Sequence, residues 1–317
     1  MCSDPKEIFS SIEDLGRSTN RSIFLALGMF DGVHLGHQKV LAKVNQMAQE
    51  SGLAMAFTFP KHPASYLRPE SAPSLLMRKD EKADFLLNQG VSGVVLRTFD
   101  REFADVEAKY FPAFLIARIP SLAGLCVGEN FRFGKGRIGD TQLLVEICKE
   151  VGLCVSVVKS ETIDNEPISS SRIREALSVG RINEVNKMLG RKYKISARPV
   201  NGNKLGREIG FPTINVPWNP QAHPAFGVYT GRVWNIDENQ KKFAIANYGM
   251  RPTVENNAQS PLLEIHLLDA MSNEFELPEQ IISMELENFV RTEKKFGSLD
   301  DLKNQIKKDL KVAGKYR

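Results

Sequence analysis

Ten residues near the start of the chain concentrate groups that can do chemistry: Gly28-Met29-Phe30-Asp31-Gly32-Val33-His34-Leu35-Gly36-His37. Two of the five histidines of the chain fall in this stretch, interleaved with three glycines. Glycines let a backbone approach a phosphate closely. Imidazoles at such a turn can donate to triphosphate oxygens and stabilise charge that builds in a transition state. Either histidine alone would read as a satisfied imidazole in a Gly-rich turn; the pair favours phosphate chemistry. A second cluster, Ile168-Ser169-Ser170-Ser171-Arg172-Ile173-Arg174, brings hydroxyls and a guanidinium to an expected helix start, a clamp suited to β- and γ-phosphates. Between the two lies Gly128-Glu129-Asn130-Phe131-Arg132-Phe133-Gly134, which could hold a planar ring and a phosphate or equally be a structural loop.

The second half carries a different set. Gly206-Arg207-Glu208-Ile209-Gly210-Phe211-Pro212-Thr213-Ile214-Asn215 starts with glycines around a basic residue and runs into an expected strand. Thr213 and Asn215, two apart, share one side of an extended chain and offer hard oxygen donors of the kind Mg²⁺ takes. The stretch lacks the Lys-Ser or Lys-Thr ending of a Walker A loop. Glu264, in the strand-like Leu263–Asp269, is a candidate base for a hydroxyl, with a solvent-facing glutamate as the ordinary alternative.

These groups need elements to hold them. Apolar runs at 22–29, 53–59, 91–96, 122–127 and 153–158 alternate with helical patterns at 37–51, 80–88, 106–119 and 142–151. Strand and helix in repeated alternation predict an α/β domain, a parallel sheet covered on both faces. The His-containing turn then sits at the carboxyl end of a strand, where such sheets bind ligands. Residues 171–189 predict two helices meeting near Gly180, with Gly190 as a stop. After them come short strands at 193–200, 213–216, 227–234, 243–248, 262–268 and 281–289, which predict a small antiparallel barrel or sandwich. A closing helix is capped by Ser298 with Asp301, its buried stripe Leu299, Leu302, Ile306 and Leu310. The pattern changes near residue 186, giving expected domains 1–186 and 187–317.

Composition sets the limits. The 317 residues are 42% hydrophobic and 25% charged, a globular balance. With 42 basic and 38 acidic side chains the net charge is +4, too little excess for a dedicated nucleic-acid binder. No apolar run is long enough to span a bilayer, and no secretory signal is visible. Four cysteines (Cys2, Cys126, Cys148, Cys154) without C-x-x-C spacing read as buried free thiols in a reducing cytoplasm.

Taken in order, these segments resemble the bacterial bifunctional riboflavin kinase/FAD synthetase family. Its G-x-F-D-G-x-H-x-G-H motif is matched at Gly28, Phe30, Asp31, Gly32, His34, Gly36 and His37. Its I-S-S-T-x-I-R motif is matched at Ile168, Ser169, Ser170, Ile173 and Arg174, with Ser171 for threonine. The kinase half's G-R-x-x-G-F-P-T-x-N is matched at Gly206, Arg207, Gly210, Phe211, Pro212, Thr213 and Asn215. N-x-G-x-R-P-T follows at Asn247, Gly249, Arg251, Pro252 and Thr253, then E-x-H-x-x-D at Glu264, His266 and Asp269. Arg291, Lys295 and Phe296 fit the approach to the last helix. Met29 stands where the family often has asparagine, residues 58–63 follow T-F-x-P-H-P loosely, and Asn201 and Phe275-Glu276-Leu277 depart from the kinase pattern.

The resemblance implies a Rossmann-like nucleotidylyltransferase domain followed by a barrel, and two ATP-dependent reactions, riboflavin to FMN and FMN to FAD. It assigns His34 and His37 to the triphosphate, and Ser169, Ser170 and Arg174 to the departing pyrophosphate. Asn130 goes to the nucleotide, Thr213 and Asn215 to Mg²⁺-ATP, and Glu264 to the 5′-hydroxyl of riboflavin. Gly206, Arg207, Gly210, Phe211, Pro212, Asn247, Arg251 and Arg291 fall in its ATP- and flavin-binding set. Expected partners are small molecules, with no nucleic acid and no membrane; a homo-oligomer is left open. Three other readings stand beside this one. They are a riboflavin kinase with an inactive first domain, a flavin- or RNA-binding regulator, and a pyrimidine- or pantetheine-type nucleotidylyltransferase that leaves the barrel without a purpose.

Overall fold

Ile23–Leu27, an apolar run without polar alternation, forms the middle of a parallel sheet, as a strand buried on both faces should. The computed structural model describes residues 6–49, 52–201, 206, 209–234, 241–252, 259–268 and 280–316. The chain divides into two compact units, Met1–Ser170 and Ser171–Arg317.

The first unit runs β1 (Glu7–Phe9), α1 (Ile12–Ser18), β2 (Ile23–Leu27), α2 (Leu35–Ala48), β3 (Leu53–Thr58), α3 (Ala64–Leu67), α4 (Lys79–Asn88), β4 (Gly93–Leu96), α5 (Arg101–Ala104), α6 (Phe111–Ile116), β5 (Leu122–Gly128), α7 (Thr141–Glu150) and β6 (Cys154–Val158). A small hairpin, β7 (Thr162–Ile163) and β8 (Glu166–Pro167), follows. The sheet order is β1-β4-β3-β2-β5-β6, all pairs parallel. From β2 the chain first builds outward through β3 and β4, then returns to the other side of β2 with β5. The crevice beyond the carboxyl ends of β2 and β5 is therefore the switch point where an open α/β sheet takes a ligand. Alternate residues feed two cores, Leu25, Leu27 and Leu125 on one face, Ala26 and Cys126 with Val40, Leu41 and Val44 of α2 on the other.

Three features differ from the sequence reading. The short β1 and helix α1 were not expected: β1 has three residues, two of them exposed, and so carries no period. The expected helix over 106–119 contracts to α6 with a 3₁₀ turn before it, Pro112 standing in the first turn. Cys126 and Cys148 are buried, but Cys154 is exposed at the edge of the sheet; Cys2 lies outside the described residues.

α8 (Ser170–Ser178) spans the division between units, and α9 (Ile182–Leu189) leads into the barrel. At Gly180, between them, φ is +77°, and a Cβ would stand 2.7 Å from the Phe289 ring. The strands are β9 (Tyr193–Ala197), β10 (Ile214–Pro217), β11 (Gly227–Trp234), β12 (Lys242–Pro252), β13 (Gln259–Leu267) and β14 (Ile282–Thr292), before α10 (Leu299–Ala313). Their order is β10-β13-β12-β11-β14-β9, antiparallel throughout. An isolated bridge from Val200, just past β9, to Asn215 on β10 joins the two edges into a barrel. The fold divides at residue 170, earlier than the change of pattern near 186, because α9 is tied to the barrel. Buried Asn186 donates to the Leu286 carbonyl at 2.9 Å and accepts the Tyr193 N–H at 2.7 Å.

α10 is capped as expected, the Ser298 hydroxyl accepting the Asp301 N–H at 3.1 Å. Of its expected stripe, Leu302, Ile306 and Leu310 are half-buried and Leu310 packs against the barrel core beside Ala313. Leu299 is 53% exposed, whereas Asp309 is 4% exposed and accepts from the Arg291 guanidinium at 3.0 and 2.7 Å and from Gln305 at 2.8 Å. A charged partner on β14 turns what reads as a solvated position into a buried one.

Candidate functional site

The turn after β2 is wound tightly. Phe30 (φ +48°), Gly32 (+80°) and Val33 (+39°) all take positive φ, and Phe30 and Val33 are buried. A β-branched residue there is strained, of order 1–3 kcal/mol, and such strain gathers where a site must be held in shape. The winding returns the chain so that His34 becomes the N-cap of α2, its Nδ1 accepting the His37 N–H at 3.3 Å. That bond leaves the ring proton of neutral His34 on Nε2. The His37 ring stacks on His34 with centroids 3.6 Å apart and 15° between planes, and Phe30 meets its edge at 5.3 Å. Gly36 makes room for the stack, since a Cβ there would stand 3.2 Å from the His34 ring; Gly28 does the same for Phe30.

Burial holds the His37 imidazole well below its ordinary titration range, and the nearby His34 and Lys82 charges push the same way. His37 is therefore neutral, and it can meet a phosphate as an N–H donor rather than as a cation. Its buried Nδ1 has no hydrogen-bond partner among the described residues.

Asp31 is buried, its carboxylate accepting the Leu76 N–H at 3.0 and 3.2 Å, a pair of contacts that braces the turn. Its backbone carbonyl accepts the Ser170 hydroxyl at 2.9 Å, which brings the serine cluster to the histidine turn. Ser169 is half-buried beside it, while Ser171 is exposed and Arg174 is half-buried in the second unit. Asn130, just past β5, is exposed and donates to the Ser160 hydroxyl at 3.1 Å. Gly128 at the end of β5 faces open space, with nothing within 4 Å of a Cβ built there.

Two buried polar residues lie beneath the turn: Thr58, which opens the loosely matched T-F-x-P-H-P stretch, and Lys82, which carries no mark in the sequence. Thr58 donates to the Met29 carbonyl at 2.8 Å, and Lys82 donates to the Phe59 carbonyl at 2.5 Å and to Met29 at 3.3 Å. Lys82 sits in a polar Lys-Asp-Glu-Lys run that reads as solvated surface. The one available signal is that it is followed by Ala83 and, one turn on, Leu86, which share its buried face.

In the barrel, strand register brings three of the singled-out residues together. Asn215 on β10 stands opposite Glu264 on β13, which in turn stands opposite Asn247 on β12. Opposed side chains in such pairs start about 5 Å apart, so the three polar groups form one row on one face. Thr213 precedes the row by two residues. The loop folds back over Thr213: Phe211 N–H donates to Gly206 O at 2.7 Å, and a Cβ at Gly206 would stand 3.3 Å from Thr213 Oγ1. Gly210 takes φ +86° at this turn. His266 is held by the Pro212 carbonyl at 2.8 Å and touches Phe211 edge-on. Arg291 stands opposite Val228, and its guanidinium is engaged by Asp309. Arg207, Thr253, Asp269 and residues 275–277 lie outside the described residues; Arg251 is placed on β12 by its backbone.

Hydroxyl and amide oxygens on Thr213 and Asn215 are hard donors, which fit a magnesium ion that also keeps phosphate and water ligands.

Comparison with known proteins agrees with both halves. The FAD synthetase family model matches residues 16–172 and the riboflavin kinase model residues 189–317. A bifunctional riboflavin kinase/FMN adenylyltransferase of Haemophilus influenzae is 39% identical over 290 residues, 91% of this chain and 92% of that protein. One from Escherichia coli is 35% identical over 311 residues, 98% and 97%. A solved structure described as a macrolide-efflux protein from Streptococcus pneumoniae has the same fold, with a TM-score of 0.83 and 26% identity over 96% of this chain and 97% of that one. Among the described residues of this chain no helix is long and apolar enough to cross a membrane. By identity along nearly its whole length, the chain belongs to the bifunctional riboflavin kinase/FMN adenylyltransferase family.

Proposed function

We propose that the chain makes FAD from riboflavin in two ATP-dependent steps, phosphorylation to FMN at the barrel and adenylylation of FMN at the parallel-sheet unit. The observation that carries this reading is the stacked His34–His37 pair at the switch point of the sheet, with Ser170 bonded to the same turn. An FMN phosphate, ionised near neutral pH, attacks the α-phosphorus of ATP, and pyrophosphate leaves with its electron pair. No general base is needed, so alignment and charge neutralisation supply the rate. His34 and neutral His37 donate N–H groups to the triphosphate, Gly28 and Gly36 let it approach, and Ser169 and Ser170 receive the pyrophosphate. The resemblance adds Ser171, Arg174 and Asn130 to this set.

At the barrel Glu264 accepts the proton of the riboflavin 5′-hydroxyl as that oxygen attacks the γ-phosphorus of ATP. Such a base mostly orients the nucleophile. Thr213 and Asn215 would hold Mg²⁺, which supplies charge neutralisation on the phosphates when bound. Asn247, opposite Glu264, orients the carboxylate or the flavin chain, and Arg291 serves through its hold on α10. We place the functional division at 186/187, inside the stretch between the two family matches, which end at residue 172 and begin at residue 189. Buried thiols at Cys126 and Cys148 and free Cys154 support a reducing cytoplasm as the place of reaction. All residues invoked come from one chain, so a homo-oligomer is compatible with the mechanism and not required by it.

The test is a time course with riboflavin, ATP and Mg²⁺, separating the three flavins by chromatography. FMN should rise and then give way to FAD. FMN accumulating without FAD would leave a kinase alone and put Met29 and residues 58–63 at fault.

A further inference from the structure

Lys82 holds a charge where charge is costly. It projects from α4 into the unit and is 1% exposed. A buried ammonium persists only with acceptors and a countercharge. Its acceptors are two backbone carbonyls of particular position. Met29 O opens the turn that carries His34 and His37, and Phe59 O opens the loop that follows β3, residues 59–63. Its countercharge is Asp31, itself fixed by the Leu76 N–H. Thr58, at the end of β3, adds a hydroxyl to the same Met29 carbonyl. One ammonium thus fastens the chain leaving β2 to the chain leaving β3, at the ends of the strands where ligands bind.

We propose that Lys82 is a positioning residue for FMN adenylylation, holding the triphosphate-facing turn and the loop that follows β3 in one register so that phosphate and α-phosphorus meet in line. The inference rests on the assignment of adenylylation to this site. A bond from an ammonium to a carbonyl is stronger than one from a neutral amine, so the fastening depends on the charge. The titratable groups facing Lys82 are Asp31 from the turn and His37 from α2. β3 contributes the Thr58 hydroxyl, which donates to the same Met29 carbonyl. Burial lowers the Lys82 ammonium to about 8, with Asp31 opposing the fall. Below that pH the fastening is charge-assisted; above it a neutral amine remains and Asp31 loses its countercharge. Adenylylation should therefore weaken on the alkaline side, and riboflavin phosphorylation, which does not use Lys82, should not.

The experiment uses the full chain. FAD formation from supplied FMN and FMN formation from riboflavin are both followed from about pH 6.5 to about 9.5, for wild type, Lys82→Met and Lys82→Arg, with the melting temperature of each. In wild type, FAD formation should fall above about pH 8 while FMN formation holds. Lys82→Met should lose this alkaline limb, with kcat/KM for adenylylation down about tenfold to hundredfold at neutral pH and KM raised for both FMN and ATP. Lys82→Arg, permanently charged, should move the limb upward by about a pH unit or more. A limb that coincides in wild type and Lys82→Met would overturn the inference alone. So would FAD and FMN formation falling in parallel with the melting temperature, which would make Lys82 a plug and no more. Wild type that makes FMN but no FAD at any pH would overturn the assignment beneath it as well.

Discussion

Glu264 is the residue on which the two activities should separate. Glu264→Gln keeps the shape and the place opposite Asn215 and removes the acceptor of the riboflavin proton. FMN formation should drop about a hundredfold or more while FAD formation from supplied FMN is unchanged, read as two initial rates on one preparation. Loss of both would mean that the substitution disturbs the fold. At this scale the sequence was most legible where chemistry and backbone geometry demand the same residue types. Gly28, Gly36, His34 and His37 are visible because the turn needs both the space and the rings. Lys82 was not legible, and Thr58 only as a motif residue, because burial of a polar side chain is decided by what packs over it, and their neighbours arrive from other elements. The Asn215–Glu264–Asn247 row was half legible: each residue stood out, but register between strands distant in sequence is set by the sheet.

Among the elements, α10 shows how a period can mislead. Its cap and length follow from Ser298 and the spacing of its leucines, yet the face it buries centres on Asp309 and Ala313. An ion pair adds a buried charge beside the half-buried Leu302, Ile306 and Leu310 because Arg291 offers Asp309 two nitrogens and Gln305 a third donor. Asp309→Ala should destabilise the barrel by about 3 kcal/mol, since it strands a half-buried guanidinium. Urea unfolding of the full chain would measure this, and a loss under about 0.5 kcal/mol would show that the pair only orders the surface. Strand β11 was legible to its ends because Gly227, where a Cβ would run into the Arg291 carbonyl, and Trp234 mark them. β1 was not, since an exposed three-residue edge strand owes its existence to pairing with β4.

At the scale of the molecule, the FAD synthetase and riboflavin kinase family matches occupy separate stretches of the chain, residues 16–172 and 189–317, and passage of FMN through solution from one to the other can be tested. A chain with Glu264→Gln and a chain with both His34 and His37 replaced by alanine should each fail to convert riboflavin to FAD. Mixed, they should succeed at a rate that rises with concentration, and chromatography of the flavins would show it. No rescue would mean that FMN passes only within one chain. The closure of the barrel has a consequence of its own. β9 and β10 are joined by the bridge at Asn215, the residue proposed to hold the metal, rather than by a full ladder. Wherever pairing is thin, a sheet breathes first, and whatever binds across the opening acts as its clasp. Nucleotide and magnesium would then do more than react at the barrel: their arrival would button the seam, and their departure would leave it the first place to come undone.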